Sequence, residues 1–342
     1  MRILIIRTSA MGDVVHSLPT LRALRRHFPR ATIGWVIERP FAPLLATDPD
    51  LDVILEVRLR VWRKSLASRA TRRDLAQAVR ALRAFGADVV LDLMGNHKAG
   101  AIAAFSGCGR RIGLRRRDRR EPSSAVWINE PVRAIGTHSV ERALSMAAAL
   151  GADVESPDFG AEKLRLAGRT SSDYESGGPA PPYAVIHPGT ARPDKCYPAS
   201  LWGTVAKLLA ANTGLRILIS IGPGEEHLGE QVLEASRGAG GTARLAAEPS
   251  LSSLVALLGG ADLVLAGDTG PMHLAHALGT PVLALMGPTE PDVHGPYGAP
   301  DRVLRTAPSP ASWTEIEPQR VVDKAMDLLA PRERDSALAP EM

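Results

Sequence analysis

An α/β fold built on two parallel sheets is what this chain predicts, and three features carry the prediction. Strand and helix patterns alternate in each half of the 342 residues. The strand candidates are apolar runs without polar alternation, the pattern of strands covered on both faces. Two of them run straight into a polar turn and a helix start. The first is Arg2-Ile-Leu-Ile-Ile-Arg-Thr8 leading into Ser9-Ala-Met-Gly12-Asp13. The second is Ala261-Asp-Leu-Val-Leu-Ala-Gly267 leading into Asp268-Thr-Gly-Pro-Met-His273. A helix opening at the C-terminal edge of a parallel sheet offers free N–H groups and a positive dipole end, which favour an anion such as a diphosphate. A capped helix packed on a sheet has the same pattern. Two such turns in one chain suggest two nucleotide-fold halves facing each other across a cleft.

In the first half, strands are predicted over Arg2–Thr8, Thr32–Glu38, Val53–Val57 and Asp88–Leu93. Helical sequence begins at Val14 and continues through Leu18–His27; Arg72–Phe85 and Thr137–Leu150 are further helices. The stretch Gly109–Glu130 is too charged and aperiodic for regular elements, apart from a short strand near Ile112. Gly168–Pro182 is rich in Gly, Ser and Pro and reads as a linker. The second half restarts with strands Tyr183–His187, Leu215–Ile221, Asp262–Ala266 and Val282–Met286. Its helices are Ala199–Ala211, Glu226–Ser236, Leu251–Leu258 and Pro318–Leu329. A chain of this length favours two cores. The division that follows is residues 1–167, a linker 168–182, residues 183–330 and a frayed tail 331–342. Ligands are expected at the C-terminal strand ends.

No apolar run reaches the length of a membrane-spanning helix, and the first residues read as a strand rather than a secretory signal. Cys108 and Cys196 have neither metal-ligand nor redox spacing, so both read as buried or idle thiols. The expectation is a soluble cytoplasmic protein. Net charge is only +4, but basic residues cluster in the first half. One group is Arg58, Arg60, Arg63, Lys64, Arg69, Arg72 and Arg73; a denser one runs from Arg110 to Arg120. A basic face confined to one half suits a polyanion: nucleic acid, an anionic membrane or a phosphorylated substrate. A solvated face explains most of the individual arginines.

Asp13 is the sharpest candidate for chemistry in the first half. At a helix start a carboxylate is favoured by the dipole, and facing a cleft it serves as a general base; otherwise it caps the helix. Gly12 beside it leaves room for a substrate. In the second half, His187-Pro-Gly189-Thr190-Ala-Arg192-Pro-Asp-Lys195 follows a strand with a loop dense in donors. Thr190 and Lys195 suit phosphate oxygens, the second as a point charge. Asp268, Thr269 and Gly270 supply capping oxygens and open backbone. Glu225, after Gly222-Pro-Gly224, fits either ribose hydroxyls or the first turn of a helix. His273 and His276 lack a third ligand, so packing, or one phosphate contact by His273, is expected rather than a metal. No glycine fingerprint for a dinucleotide, no Walker loop and no metal spacing occurs.

Met11-Gly-Asp13-Val-Val-His16-Ser-Leu-Pro19, with Gly267-Asp268-Thr-Gly-Pro-Met-His273-Leu-Ala and Gly287-Pro-Thr-Glu-Pro291, resembles glycosyltransferase family 9, the lipopolysaccharide core heptosyltransferases. The resemblance runs from Arg2 to about Leu329. Thr8-Ser-Ala-Met-Gly-Asp13, Trp35-Val-Ile-Glu38, Trp62-Arg-Lys64, and Arg120-Glu-Pro122 followed by His138-Ser-Val-Glu141-Arg142 point within the family to addition of the first heptose to the Kdo region. It implies a GT-B fold, two Rossmann-like domains facing across a cleft, with the donor held by the second. It implies inverting, metal-independent transfer from ADP-heptose to Kdo-lipid A, without cofactor or nucleic acid, at the cytoplasmic face of the inner membrane. Asp13 falls on the base. Thr190, Lys195, Glu225, Asp268, Thr269, Gly270 and His273 fall on donor positions, and Gly12, Arg60, Arg63, Lys64 and Arg120 on the acceptor side. With donor and base on different domains, closure over the linker assembles the site.

Three departures stand out. Thr190-Ala191 replaces a Thr-Thr pair, Lys195-Cys-Tyr197-Pro198 replaces Lys-x-Trp-Pro, and Pro249 stands where a Met touches adenine. Two alternatives follow: a family 9 transferase for another core sugar or donor, and a non-catalytic nucleotide- or RNA-binding protein. The basic runs lack the interleaved aromatics that stack bases.

Overall fold

Two six-stranded parallel sheets organise the chain, one in each half. The computed structural model describes residues 1–65, 67–170, 182–237, 243–246, 250–307 and 310–330. The first sheet contains β1 (Arg2–Ile6), β2 (Thr32–Glu38), β3 (Val53–Val57), β4 (Val89–Asp92), β5 (Arg111–Leu114) and β6 (Glu130–Val132). Its order is β3-β2-β1-β4-β5-β6. The second contains β7 (Tyr183–His187), β8 (Arg216–Ile219), β9 (Ala243–Leu245), β10 (Leu263–Gly267), β11 (Val282–Met286) and β12 (Val303–Arg305), in the order β12-β11-β10-β7-β8-β9. Counted from its own first strand, each sheet has the order of the dinucleotide-binding fold. The strand order therefore reverses between β1 and β4 in one half and between β7 and β10 in the other. Crevices at the C-terminal ends of those strand pairs are where such sheets bind ligands.

The central strands are buried along their length, as their unbroken apolar runs require: Ile3–Ile6, Val89–Asp92, Tyr183–His187, Leu263–Gly267 and Val282–Met286. β1 stops at Ile6, two residues short of expectation, because the chain at Thr8 turns to meet Met94 Sδ at 3.4 Å. β4 stops at Asp92, whose Oδ1 accepts the N–H groups of Met94 and Gly95, both at 3.0 Å. The helical stretch beyond Asp13 is two helices, Met11–His16 and Leu18–His27, divided at Ser17. Pro19 lacks the N–H that would carry one ladder through. Gly109–Glu130, expected as loop with one short strand, holds β5 and then two 3₁₀ segments, Arg116–Asp118 and Pro122–Trp127.

The two halves meet through their helix starts. Helix Met11–His16 packs on helix Gly270–Ala277, and one apolar core joins Val14, Val15 and Leu18 to Met272, Leu274 and Ala275. Of the expected linker, Gly168–Thr170 forms one turn against helix Leu251–Gly259. Just before it, Arg165 donates to the carbonyls of Gly259 and Leu278 at 2.7 and 2.8 Å. Residues 171–181, Pro249 and the tail 331–342 lie outside the described residues. Among the described residues, no helix is long and apolar enough to cross a membrane.

Candidate active site

Two cavities open at the switch points, on either side of the chain at Met11–Asp13. One, of about 460 Å³, is lined by Ala10, Met11 and Gly12 from the first half and by Thr190, Gly222, Glu225, Thr269 and Gly270 from the second. Its remaining walls are mostly apolar: Pro40, Phe41, Ile221, Pro223, Leu251, Leu254 and Pro271. The other, of about 600 Å³, is lined by Asp13, Arg7, Asn96, Arg119, Arg120, Ser139 and Arg142 from the first half, and by Arg192, Lys195, Thr289 and His294 from the second. Asp13 and Lys195 thus reach one space from opposite sheets.

Asp13 sits in the first turn of helix Met11–His16, where its Oδ2 accepts the Ala10 N–H at 3.2 Å. It is both a cap and a cavity-lining carboxylate, so the two readings of this residue coexist. Thr190 lines the smaller cavity and donates its hydroxyl to the Arg192 carbonyl at 2.7 Å. Glu225 precedes helix Glu226–Ser236, and its Oε2 accepts the Gly222 N–H at 2.7 Å. That carboxylate fills the space beside Gly189, where a Cβ would lie 2.0 Å from Oε2. Here too both readings hold, since Glu225 opens a helix and faces the cavity.

Asp268 departs from expectation. The residue before helix Gly270–Ala277 is Thr269, whose own side chain makes no capping hydrogen bond. The Asp268 carboxylate turns inward instead, accepting from Lys195 Nζ at 2.6 Å through Oδ2 and lying 3.4 Å from His273 Nε2 through Oδ1. Burial disfavours its ionisation, but the hydrogen bonds of His273 and then Lys195, with the charge of Lys195, outweigh that and hold the carboxyl well below the usual carboxylate range. The helix N–H groups beside Thr269 and Gly270 are left for the cavity.

His273 lines neither of these two cavities. Its Nδ1 lies 3.0 Å from His16 Nε2 and its Nε2 faces Asp268, so both ring nitrogens are engaged within the protein. Gly12 also differs from expectation. The room left by its missing side chain is taken by the His273 ring, with an ideal Cβ only 2.6 Å from Cδ2, and Gly12 lines the smaller cavity rather than the one containing Asp13. Likewise, a Cβ on Gly270 would lie 2.8 Å from Met11. The two glycines are what lets these helices approach.

Of the basic acceptor candidates, only Arg120 lines the Asp13 cavity. Arg60, Arg63 and Lys64 are exposed on helix Leu59–Lys64, anchored by buried Trp62 beyond the C-terminal end of β3. They share the rim of the sheet but not the cavity lining. Residues to which the sequence assigned no place in the site complete the wall. Arg119 is buried against Asp92 in an ion pair and donates to Ser124 Oγ at 2.8 Å, which fixes the loop carrying Arg120. Arg142 donates to the Asp118 carbonyl and Arg7 to Ser17 Oγ, and both also face the cavity. Ser139 and His294 meet at 3.2 Å across the halves.

Doubly wound halves joined at their switch points, with a carboxylate of one facing a lysine of the other, define the GT-B class of two-domain transferase. The glycosyltransferase family 9 (heptosyltransferase) profile matches residues 75–319. Lipopolysaccharide heptosyltransferase 1 of Salmonella typhimurium is 33% identical over 87% of this chain and 92% of its own length. The solved structure of the Escherichia coli heptosyltransferase WaaC with ADP superposes with a TM-score of 0.83 at 28% identity, over 96% of this chain and all of that one. A second structure, described as WaaC with ADP-2-deoxy-2-fluoro heptose, gives 0.80 at 27%, over 96% of this chain and 99% of that one. Lipopolysaccharide heptosyltransferase 2 of Salmonella typhimurium is 26% identical over 96% of this chain and 99% of its own length. The chain belongs to glycosyltransferase family 9 and is an enzyme of the heptosyltransferase kind. A non-catalytic nucleotide- or RNA-binding role is not favoured.

Proposed function

We propose that the protein moves L-glycero-D-manno-heptose from ADP-heptose to the Kdo region of the lipopolysaccharide inner core, with inversion and without a metal. The observation that carries this is the 600 Å³ cavity shared by Asp13 of one half and Lys195 of the other. The adenosine lies in the smaller, mostly apolar cavity, its ribose hydroxyls at Glu225. The diphosphate runs past Thr190 to the helix start at Thr269–Gly270 and to Lys195, and the heptose crosses towards Asp13. Asp13 takes the proton of the acceptor hydroxyl, whose oxygen attacks the anomeric carbon. The bond from that carbon to the phosphate oxygen breaks, and its electron pair leaves with ADP. Charge growing on the diphosphate is met by Lys195 and the helix N–H groups, which do the work a cation would otherwise do.

Arg7, Arg120 and Arg142 face the acceptor side with no ion-pair partner among the described residues, which suits an acceptor bearing carboxylate and phosphate groups. Arg60, Arg63 and Lys64 extend the same sign of charge along the rim and meet the acceptor further out. A lipid-borne acceptor puts the reaction at the cytoplasmic face of the inner membrane. Higher identity to heptosyltransferase 1 than to heptosyltransferase 2 supports the first heptose over a later one. The test is a panel of nucleotide sugars and core acceptors with products read by mass spectrometry. One heptose added to a Kdo-terminated acceptor is expected. Transfer only to an acceptor that already carries heptose overturns the assignment.

A further inference from the structure

We propose that His16, a residue of the first half that lines neither cavity, is a positioning residue for the donor-phosphate cluster of the second half. This rests on the donor site proposed above. His16 ends helix Met11–His16 and is 3% exposed. From it a continuous chain of contacts crosses between the halves. His16 Nε2 is 3.0 Å from His273 Nδ1, His273 Nε2 is 3.4 Å from Asp268 Oδ1, and Asp268 Oδ2 is 2.6 Å from Lys195 Nζ. The last of these reaches the cavity that holds Asp13.

The direction of each hydrogen bond follows from what the groups can do. A carboxylate only accepts, so the proton of His273 that faces Asp268 sits on Nε2. With His273 neutral, its Nδ1 is the acceptor and His16 donates through Nε2. Burial, then the nearby His273 and His138, hold the His16 imidazole well below its usual range, so the ring is neutral and carries that one proton. Its Nδ1 is left as a bare lone pair, and this atom has no hydrogen-bond partner among the described residues. With the donor from His16 removed, the His273 Nδ1 lone pair is left buried without a partner, and the ring loses the contact that holds it from the first half. Its Nε2–H is then no longer held against Asp268, and the carboxylate that orients Lys195 loses one of its two supports.

The test compares His16→Leu with His16→Gln, whose amide N–H reaches the place of Nε2–H. Calorimetry with ADP and initial rates against ADP-heptose are read for each. ADP binding by the unmodified protein checks the donor site separately, so its absence would point to that reading and not to His16. The leucine variant should weaken ADP binding and raise the donor KM by roughly 10-fold or more, and lower kcat as well, because Lys195 also meets the charge that grows on the diphosphate. The glutamine variant should recover most of that loss. Equal losses in both variants, or an unchanged ADP Kd in the leucine variant, overturn the proposal. Should the leucine variant fail to fold, nitrogen NMR of the imidazoles in the unmodified protein decides. Both His16 and His273 are expected with the proton on Nε2 and a bare Nδ1, and a proton found on either Nδ1 overturns it.

Discussion

Gly12→Ala tests the contact that joins the two helix starts. The new Cβ would lie 2.6 Å from His273 Cδ2 and 3.4 Å from its Cγ and Nε2. Carbon atoms pack at about 3.5–4.0 Å, so the two groups must separate by about 1 Å. The ring cannot swing aside, because His16 lies 3.0 Å from Nδ1 and Asp268 3.4 Å from Nε2. Helix Met11–His16 must therefore lift from helix Gly270–Ala277 and carry Asp13 away from Lys195. Overpacking of this kind costs about 1–3 kcal/mol, a loss visible as a melting temperature lower by a few degrees. A displacement of about 1 Å between reacting groups costs about 100-fold in rate. Steady-state ADP release and a thermal melt measure both. Adding His273→Ala should remove the clash, so the double variant should lose less stability than the two single losses combined. Unchanged rate and melting temperature in Gly12→Ala would refute the contact.

Two further outcomes follow from the same geometry. Lys195→Met should weaken ADP binding by roughly 10- to 100-fold in calorimetry, the scale of a hydrogen bond to a charged group; unchanged binding would move the diphosphate elsewhere. Stability should also fall on acidification. Burial pushes the His187 imidazole down to about 4, and His276 likewise to about 4 against the opposing pull of the Tyr297 carbonyl. Their ordinary value is 6.5, so between about 6.5 and 4 the unfolded chain binds more protons than the folded one. Full stability is therefore expected above pH 6.5 and is lost as pH falls towards 4, each histidine contributing on the order of 3 kcal/mol. A melting temperature that stays level across that window contradicts this.

Much of the fold was legible because the central strands are apolar without alternation and the long helices are periodic. Thr32–Glu38, Val53–Val57, Tyr183–His187, Val282–Met286, Glu226–Ser236 and Pro318–Leu329 have the bounds read from sequence. β6, β9 and β12 were not foreseen, since each is three residues at the end of its sheet, too short to show a period. Helix His97–Phe105 is dominated by Ala and Gly and has no amphipathic stripe; the signal available was Asn96, whose side chain accepts the Ala99 N–H at 3.0 Å.

In the site, residues read from a turn that follows a strand reached the cavities: Asp13, Thr190, Lys195, Glu225, Thr269 and Gly270. Sequence neighbours say nothing about partners brought in from afar. Asp268 looked like a cap because Lys195, 73 positions away, was not visible as its partner. Gly12 looked open because His273 belongs to the other half. Arg119 looked like one more solvated arginine, yet Asp92, 27 residues earlier at the end of β4, holds it fully buried.

Asp13→Asn is the measurement on which the two-sided site stands or falls. The amide oxygen can still accept the Ala10 N–H, so the helix start is kept, but the group can no longer take a proton. Single-turnover transfer from ADP-heptose to a Kdo-terminated acceptor should slow by about 10²–10⁴-fold while the ADP Kd stays as it was. Transfer at the unmodified rate would remove Asp13 from the chemistry and leave the cavity it shares with Lys195 without its base.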